Sequence, residues 1–415
     1  MAGRRNLVEI DGPRFWSTIE RSGEIGPGTK GGLKRMALTD ADKAMRDEFV
    51  RWLREAGSAV SVDGVGNIFG RRKGREDHLP PVVIGSHLDT TYAGGRYDGI
   101  VGVLAGLEIL RTLNDRGIET RRPIEVVSWS NEEGTRFTPA MSASGAFAGV
   151  YTPGFVLGLK DDDGHVFGEE LARIGYKGAA PVGGRALDSY FELHIEQGPI
   201  LDDEGTKLGI VVGGYTSFGC LVDVHGENAH TGPTPMAKRK NALFGASLLV
   251  NAVHEIGWSR ADTDGKGNAS RLVCRPNKFG IIPDYAQVTL DVRHADPAVA
   301  RAMFAELEAA IPQAAARANV TMDVVSRWSF GDERFDADCI ARVKGAADAL
   351  GIAWREIKSQ AGHDAYYVSR VAPTCLLFSP CTGGITHNEA EHTTLADTAP
   401  AVNAMLNAVL DRANR

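Results

Sequence analysis

Seven side chains suited to binding metals or transferring protons follow the apolar stretches of this chain. Imidazole nitrogens and carboxylate oxygens are the donors that hold hard and borderline divalent ions in proteins. Four apolar stretches lead into these residues, so four strands would carry them to one edge of a sheet. The residues are His87, Asp89, Asp98, Glu132, Glu133, His194 and His387. Together they predict a site for divalent cations.

The spacing of these residues indicates different roles. His87 and Asp89 form a His-x-Asp pair, in which the histidine can bind a metal while the aspartate orients its neighbours. A carboxylate has two oxygens, so Asp98 can bridge two ions. On an extended turn Glu132 and Glu133 point apart, so one can ligate a metal while the other stays available.

Each of these residues also has a simpler interpretation. A single histidine after a strand is more often a surface or hydrogen-bonded residue, and adjacent glutamates are usually solvated. The metal prediction therefore depends on the whole set.

Apolar segments that end in polar residues indicate the strands that position the set. These segments are residues 81–89, 122–133, 190–198 and 372–380. After Asp98, apolar residues from Ile100 to Leu110 recur at helical spacing, so Asp98 is predicted to be the N-cap of a helix. Strands that alternate with helices predict an α/β fold with a mixed, mainly parallel sheet.

The segment 212–330 has a different pattern. Its predicted elements run strand, helix, strand, helix, strand, and the helices cover about 241–256 and 297–319. This order predicts a smaller α+β domain inserted into the larger one. The predicted catalytic, metal-binding domain therefore consists of residues 1–211 and 331–415, and the inserted domain of residues 212–330.

Composition narrows the class of protein. A length of 415 residues favours two or three domains, and a net charge of −7 gives no reason to expect a nucleic-acid or anionic-membrane partner. The five cysteines form no C-x-x-C pair, which argues against a disulfide framework or a cysteine-rich zinc site. The N-terminus lacks the apolar core of a signal peptide, and no apolar run could span a bilayer. We expect a cytoplasmic protein.

Seven short motifs, in order along roughly residues 60–395, resemble one family. They are GSHLDT (85–90), YDGIVGVLAGLE (97–108), NEEGTRF (131–137), ELHIEQGPIL (192–201), HTGPTPM (230–236), AGHDA (361–365) and GITHNEAEHT (384–393). The chain thereby resembles the carbamoylase and allantoate amidohydrolase branch of the metal-dependent amidases and peptidases. That branch includes N-carbamoyl-L-amino acid hydrolases, β-ureidopropionases and allantoate amidohydrolases.

The resemblance implies two divalent ions per subunit, which zinc, manganese, cobalt or nickel could supply. One ion would be held by His87, Asp98 and His194, and the other by Asp98, Glu133 and His387. Glu132 would be the general base, and Asp89 would orient the groups around it. The resemblance also implies a homodimer in which the inserted domain serves as lid and dimerisation domain.

The resemblance also implies how a small substrate is held. Gln197 would contact the ureido or amide group, Arg293 would bind a carboxylate, and His230 would stabilise the oxyanion in the active site of the partner subunit. One departure concerns Gly280, where the family usually has an asparagine that helps Arg293 to bind the carboxylate. Either Asn277 replaces the missing side chain or the substrate is held differently.

Several functions remain open at this point. An N-carbamoyl-L-amino acid is the leading substrate, and the alternatives are allantoate or another ureide and an unusual amide or N-acyl compound. A relative of dipeptidases or aminoacylases would share the two-metal site, but the HIEQG motif favours the carbamoylase side. A non-catalytic binding relative would have lost a ligand or the base, whereas this chain keeps all of them.

Overall fold

A computed structural model describes residues 7–415 and divides into two compact units. The first unit runs to Val212 and also includes Arg334–Ile357 and Gly362–Arg415. The second unit comprises Gly213–Glu333 together with the short segment Lys358–Ala361. Within the second unit, the Tyr215 amide donates to the Ser359 carbonyl at 2.7 Å, which ties that short segment to it.

Strands and helices alternate through most of the chain. The strands are β1 Ala59–Val62, β2 Ile68–Arg72, β3 Val82–His87, β4 Ile124–Trp129, β5 Ser189–Ile195, β6 Leu208–Gly214, β7 Thr216–His225, β8 Ala229–His230, β9 Lys266–Arg275, β10 Ile281–Ile282, β11 Tyr285–His294, β12 Thr321–Phe330, β13 Trp354–Ser359 and β14 Thr374–Ser379. The helices are α1 Gly12–Ser22, α2 Asp40–Glu55, α3 Ile100–Asp115, α4 Ser142–Phe147, α5 Pro153–Leu157, α6 Phe167–Arg173, α7 Ile200–Glu204, α8 Ala242–Trp258, α9 Pro297–Ala318, α10 Ala337–Leu350, α11 Asp364–Val368 and α12 Leu395–Ala413.

An eight-stranded sheet of order β1-β2-β4-β3-β5-β14-β6-β13 forms the centre of the first unit. Its four middle strands, β4, β3, β5 and β14, are parallel, whereas β2 and β6 pair antiparallel to them on either side. All residues of the four parallel strands are buried, because helices cover both faces of such a sheet. The predicted α/β class and its four strands are confirmed.

Helix α3 explains the long apolar run in the sequence. It packs against β3 and β5, and every residue from Ile100 to Leu110 is buried. Such burial on all sides needs an apolar surface around the whole helix rather than a single stripe. Among residues 7–415, no helix combines the length and the apolar character that crossing a membrane requires.

The second unit is an antiparallel sheet of order β12-β7-β11-β9, with α8 and α9 packed on it. A separate two-residue ribbon pairs β8 with β10. The predicted order of strand, helix, strand, helix, strand was wrong, since it omitted β9. That strand lies at the sheet edge and is largely polar and exposed, so it lacks the alternation by which strands are recognised.

Candidate metal and catalytic site

The parallel strands bring the predicted ligands to one edge of the sheet. His87 is the last residue of β3, His194 lies near the end of β5, and Glu132 and Glu133 follow β4. His387 comes from the loop after β14. Because parallel neighbours point the same way, their carboxyl ends meet at a common edge.

Two groups of side chains each place their ligand atoms within 4.8 Å of one another: His87, Asp98 and His194, and Asp98, Glu133 and His387. Asp98 belongs to both groups. Its Oδ1 lies 3.0 Å from His194 Nε2, and its Oδ2 lies 3.3 Å from His387 Nε2. The two oxygens of one carboxylate thus face two different donor groups.

The imidazole rings are oriented as metal ligands are. Nδ1 of His87 lies 2.9 Å from the Asp89 carbonyl, and Nδ1 of His194 lies 2.9 Å from the Ile195 carbonyl. A carbonyl only accepts, so Nδ1 carries the proton in both neutral rings and Nε2 carries the lone pair. Nε2 of His194 lies 3.0 Å from Asp98 Oδ1 and also accepts from the Gly99 amide at 3.2 Å, and Nε2 of His87 lies 3.9 Å from Asp98 Oδ1. A nitrogen lone pair directed at a carboxylate is unfavourable unless a proton or a metal cation lies between them.

Burial and charge also fit a cation. Asp89, Asp98 and Glu132 are all buried, and Glu133 lies beside them. Burial first, and then the charge of neighbouring carboxylates, raises the pKa of Glu132 and Glu133 well above the usual range. Burial also lowers the pKa of His87 to about 4, whereas, against the effect of burial, the carboxylates of Asp98 and Glu133 raise the pKa of His387 to about 9. The rings therefore supply only part of the compensating charge, and divalent ions would supply the rest.

Asp89 contacts the turn that carries the glutamates. Its Oδ1 accepts from the Glu132 amide and its Oδ2 from the Glu133 amide, both at 3.3 Å. The carboxylate lies farther from the ring of His87, at 3.9 Å from Nδ1. Burial raises the pKa of Asp89 to about 7. Asp89 therefore holds the backbone of the predicted base and its neighbour.

Residues that the sequence did not single out support the same turn. The Ser130 amide donates to Asn67 Oδ1 at 3.0 Å, and the buried Arg46 donates through Nη2 to Ser130 Oγ, also at 3.0 Å. Arg46 is paired in turn with the buried Asp42 at 2.7 Å. Neither Asn67 nor Arg46 belongs to a motif that the sequence singled out.

Helix α3 begins differently from the prediction. Its N-cap is Gly99 rather than Asp98, and no side chain caps it, so that prediction was wrong. The Asp98 carboxylate faces the histidines instead. Gly99 has φ of 68°, and a Cβ there would lie 2.3 Å from His87 Nε2, so only glycine fits.

Replacing Gly99 with alanine should therefore displace His87 and weaken metal binding. The strained backbone should also cost about 1–3 kcal/mol of unfolding free energy, measured by urea unfolding of the metal-free protein. Gly117→Ala is the matched control, because Gly117 has φ of 61° and nothing near the added Cβ. Equal metal affinities in the two variants would contradict the steric argument.

Gln197 lies against the donor groups in this structure. It has φ of 61°, and its Nε2 donates to Asp98 Oδ2 at 3.0 Å. Its Oε1 is buried and has no hydrogen-bond partner among the described residues. An acceptor in that position is suited to an N–H donor.

The other predicted substrate residues lie in the second unit. His230 pairs with Ile281 in the β8–β10 ribbon, and the Thr231 amide donates to the Gly280 carbonyl at 3.2 Å. Nδ1 of His230 accepts from the Gly232 amide at 3.0 Å, so the neutral ring carries its proton on Nε2 and can donate there. The ribbon therefore brings His230 and Gly280 together.

Arg293 lies on the larger sheet, in β11. Its Nε donates to Asp291 Oδ2 at 2.7 Å and its Nη1 to the Gln360 carbonyl at 2.9 Å. Asn277 precedes strand β10 and has φ of 49°, and Gly280 has φ of 85°. The structure thus gives Arg293 two fixed contacts within its own unit.

Known proteins resemble this chain over nearly its whole length. It is 40% identical to the N-carbamoyl-L-amino-acid amidohydrolase of Rhizobium meliloti over 413 residues, which cover 100% of this chain and 99% of that protein. It is 28% identical to the ureidoglycolate hydrolase of Arabidopsis thaliana, with 96% of this chain and 86% of that protein covered. The crystal structure of an amidase of the hydantoinase/carbamoylase family from Burkholderia vietnamiensis matches with a TM-score of 0.94, 46% identity and 98% of each chain covered.

Residues 83–411 match Peptidase family M20/M25/M40, and the chain belongs to that family. The predicted resemblance to the carbamoylase branch is confirmed. The protein is a metal-dependent hydrolase that acts on C–N bonds other than peptide bonds.

Proposed function

We propose that the protein hydrolyses an N-carbamoyl-L-amino acid to the L-amino acid, ammonia and carbon dioxide, with two divalent ions in the site. The observation that carries the proposal is the position of Asp98, whose two oxygens face separate donor groups. The Glu132 carboxylate belongs to neither donor group and so stays available as a base. Relatives named as N-carbamoyl-L-amino-acid amidohydrolases support the choice of substrate.

Each protein group would have a defined part in the reaction. When bound, the two ions polarise the scissile carbonyl and make water easier to deprotonate. Glu132 takes a proton from the attacking water and delivers it to the leaving nitrogen. Its Oε2 lies 3.5 Å from His87 Nε2, so the base stands beside one donor group. Asp89 keeps the backbone of Glu132 in place.

Nitrogen and oxygen donors without sulfur suit zinc, manganese, cobalt or nickel. His87, Asp98 and His194 would hold one ion, and Asp98, Glu133 and His387 the other. The side chain of His387 is 52% exposed, so its ion would be the more accessible to chelators.

Separate residues would recognise the two ends of the substrate. Gln197 Oε1 would accept from the ureido nitrogen, since it is buried without another partner among the described residues. Arg293 would bind the carboxylate. His230 would donate from Nε2 to the oxyanion, in the site of the partner subunit of a homodimer. The second unit would act as lid and dimerisation domain.

We place the enzyme in the cytoplasm. All five cysteines are free thiols, and four of them are buried, which suits a reducing compartment.

Gly280 favours a second candidate, hydrolysis of an unusual amide or N-acyl compound that lacks an α-carboxylate. Without a side chain at this position, one contact to an α-carboxylate is missing, and Asn277 would have to replace it. Hydrolysis of allantoate or another ureide is a further alternative, which a relative named as a ureidoglycolate hydrolase supports. Dipeptidase or aminoacylase activity has no comparable observation in its favour.

Gly280→Asn should lower the KM for N-carbamoyl amino acids roughly ten-fold or more, because a hydrogen bond to a charged group contributes about 1.5–3 kcal/mol. Asparagine tolerates positive φ, and a Cβ at Gly280 meets nothing within 4 Å. The measurement compares the KM for a carbamoyl amino acid with the KM for the corresponding neutral amide, which lacks the carboxylate. Gly175→Asn, at φ of 79° with open space around the Cβ, is the control. An equal change for both substrates would contradict a carboxylate contact.

Ammonia release from a substrate panel tests the proposed function. The panel contains N-carbamoyl-L- and D-amino acids, β-ureidopropionate, allantoate and N-acyl amino acids, each assayed after chelation and manganese readdition. Metal-dependent release from an N-carbamoyl-L-amino acid supports the proposal. Release confined to allantoate would transfer support to the ureide alternative, and activity that survives complete chelation would contradict both.

A further inference from the structure

The loop after β14 carries a buried carboxylate with no part in the reaction above. Glu391 is 5% exposed, and its Oε1 accepts from the amides of Tyr97 at 3.0 Å and Asp98 at 3.1 Å. A Cβ on Gly95 would lie 2.0 Å from that oxygen, so the close approach depends on glycine there. Glu391 thus fixes the main chain of the residue that both donor groups share.

Thr386 holds the side chain of the same aspartate. Its Oγ1 lies 3.2 Å from Asp98 Oδ2 and 3.1 Å from Glu391 Oε2. Thr386 directly precedes His387, which lies 3.3 Å from that same Oδ2. The loop that brings one predicted ligand therefore also holds another by its amide and by its carboxylate.

We propose that Thr386 and Glu391 are a positioning pair that fixes Asp98 between the two donor groups and so sets metal affinity. The proposal rests on the two-metal site of the proposed function. A bridging carboxylate must present both oxygens at defined angles, and freedom to rotate would cost binding free energy. Loss of such supporting contacts typically weakens metal binding roughly 10–100-fold.

Substitutions at two positions separate this role from general support of the fold. Thr386→Val keeps the shape and removes only the hydroxyl, and Thr386→Ser restores it. Glu391→Gln puts an amide beside the Thr386 hydroxyl. The matched control is Glu389→Gln in the same loop, because the Glu389 carboxylate accepts from the amides of Lys30 and Gly32 rather than from groups that hold Asp98.

The measurement is Mn²⁺ and Zn²⁺ affinity of the metal-free full chain, by competition with a chromophoric chelator, together with its Tm. Thr386→Val and Glu391→Gln should raise Kd about 10–100-fold, whereas Thr386→Ser and Glu389→Gln should match the wild type. Wild-type Kd values in Thr386→Val and Glu391→Gln, with or without a lower Tm, would overturn the positioning role alone. A wild-type protein that binds neither ion would overturn the proposed function and this inference together.

Discussion

Glu132→Gln should reduce kcat roughly 10²–10⁴-fold while the enzyme keeps its full complement of metal. Glutamine has nearly the same shape but cannot take a proton from water. Glu132 is buried, and its backbone is held by Asp89, so the replacement should stay in place. The check is kcat on the best substrate of the panel, together with metal content by elemental analysis.

The control for this experiment is Glu169→Gln, an exposed glutamate in the first turn of α6, which should turn over at the wild-type rate. Two outcomes would contradict the assignment. Unchanged kcat in Glu132→Gln would exclude Glu132 as the base. Loss of one metal ion per subunit would show that Glu132 is a metal ligand. This outcome is worth testing because Glu132 Oε2 lies only 3.5 Å from His87 Nε2.

Four of the five ligands could be predicted from the sequence because they lie near or after the end of a recognisable strand, whereas Asp98 precedes helix α3. Residues 81–89 and 372–380 are apolar runs with a polar end, and parallel strands align such ends in space. The local sequence pattern was therefore enough to predict that His87 and His387 lie close together, although they are far apart in the chain.

The supporting network could not be predicted in this way. Arg46 lies on α2 and Asn67 in a turn, yet both hold Ser130 beside the base. Their partners depend on how α2 packs on the sheet, and nothing in the local pattern separates a buried arginine from a surface one. The predicted start of α3 was wrong for a related reason. The sequence favours Asp98 as a cap, but its carboxylate faces two histidines, and Gly99 takes the cap because His87 leaves no room for a Cβ.

The edge strand β9 shows the limit of pattern in the second unit. A strand covered on one face alternates polar and apolar residues, whereas Lys266–Arg275 pairs on one side only and is mostly half-buried or exposed. Backbone pairing with β11 holds this strand in the sheet, whereas the pattern of its side chains does not mark it as a strand. The sequence therefore predicted the class of this unit but missed β9 as well as the two-residue strands β8 and β10.

His230→Ala should lower kcat roughly 10²–10³-fold, the usual loss for one oxyanion donor, with metal content unchanged. His230 is exposed, and its Nδ1 accepts from the Gly232 amide, which leaves the Nε2 proton to donate. The check is kcat with metal analysis. His225→Ala, at the end of β7 in the same unit, is the control and should retain wild-type kcat.

Mixing two inactive variants then tests which subunit supplies the histidine. In a hybrid of His230→Ala and Glu132→Gln subunits, a histidine supplied by the partner leaves one site with both groups intact and the other site with neither. Random pairing makes half of the dimers hybrids, so the mixture should regain about a quarter of wild-type activity. If each subunit uses its own histidine, every site lacks one group and activity stays at the level of the separate variants. Differently tagged subunits, purified in tandem, establish that hybrids form, so an inactive hybrid preparation would rule out a histidine supplied by the partner.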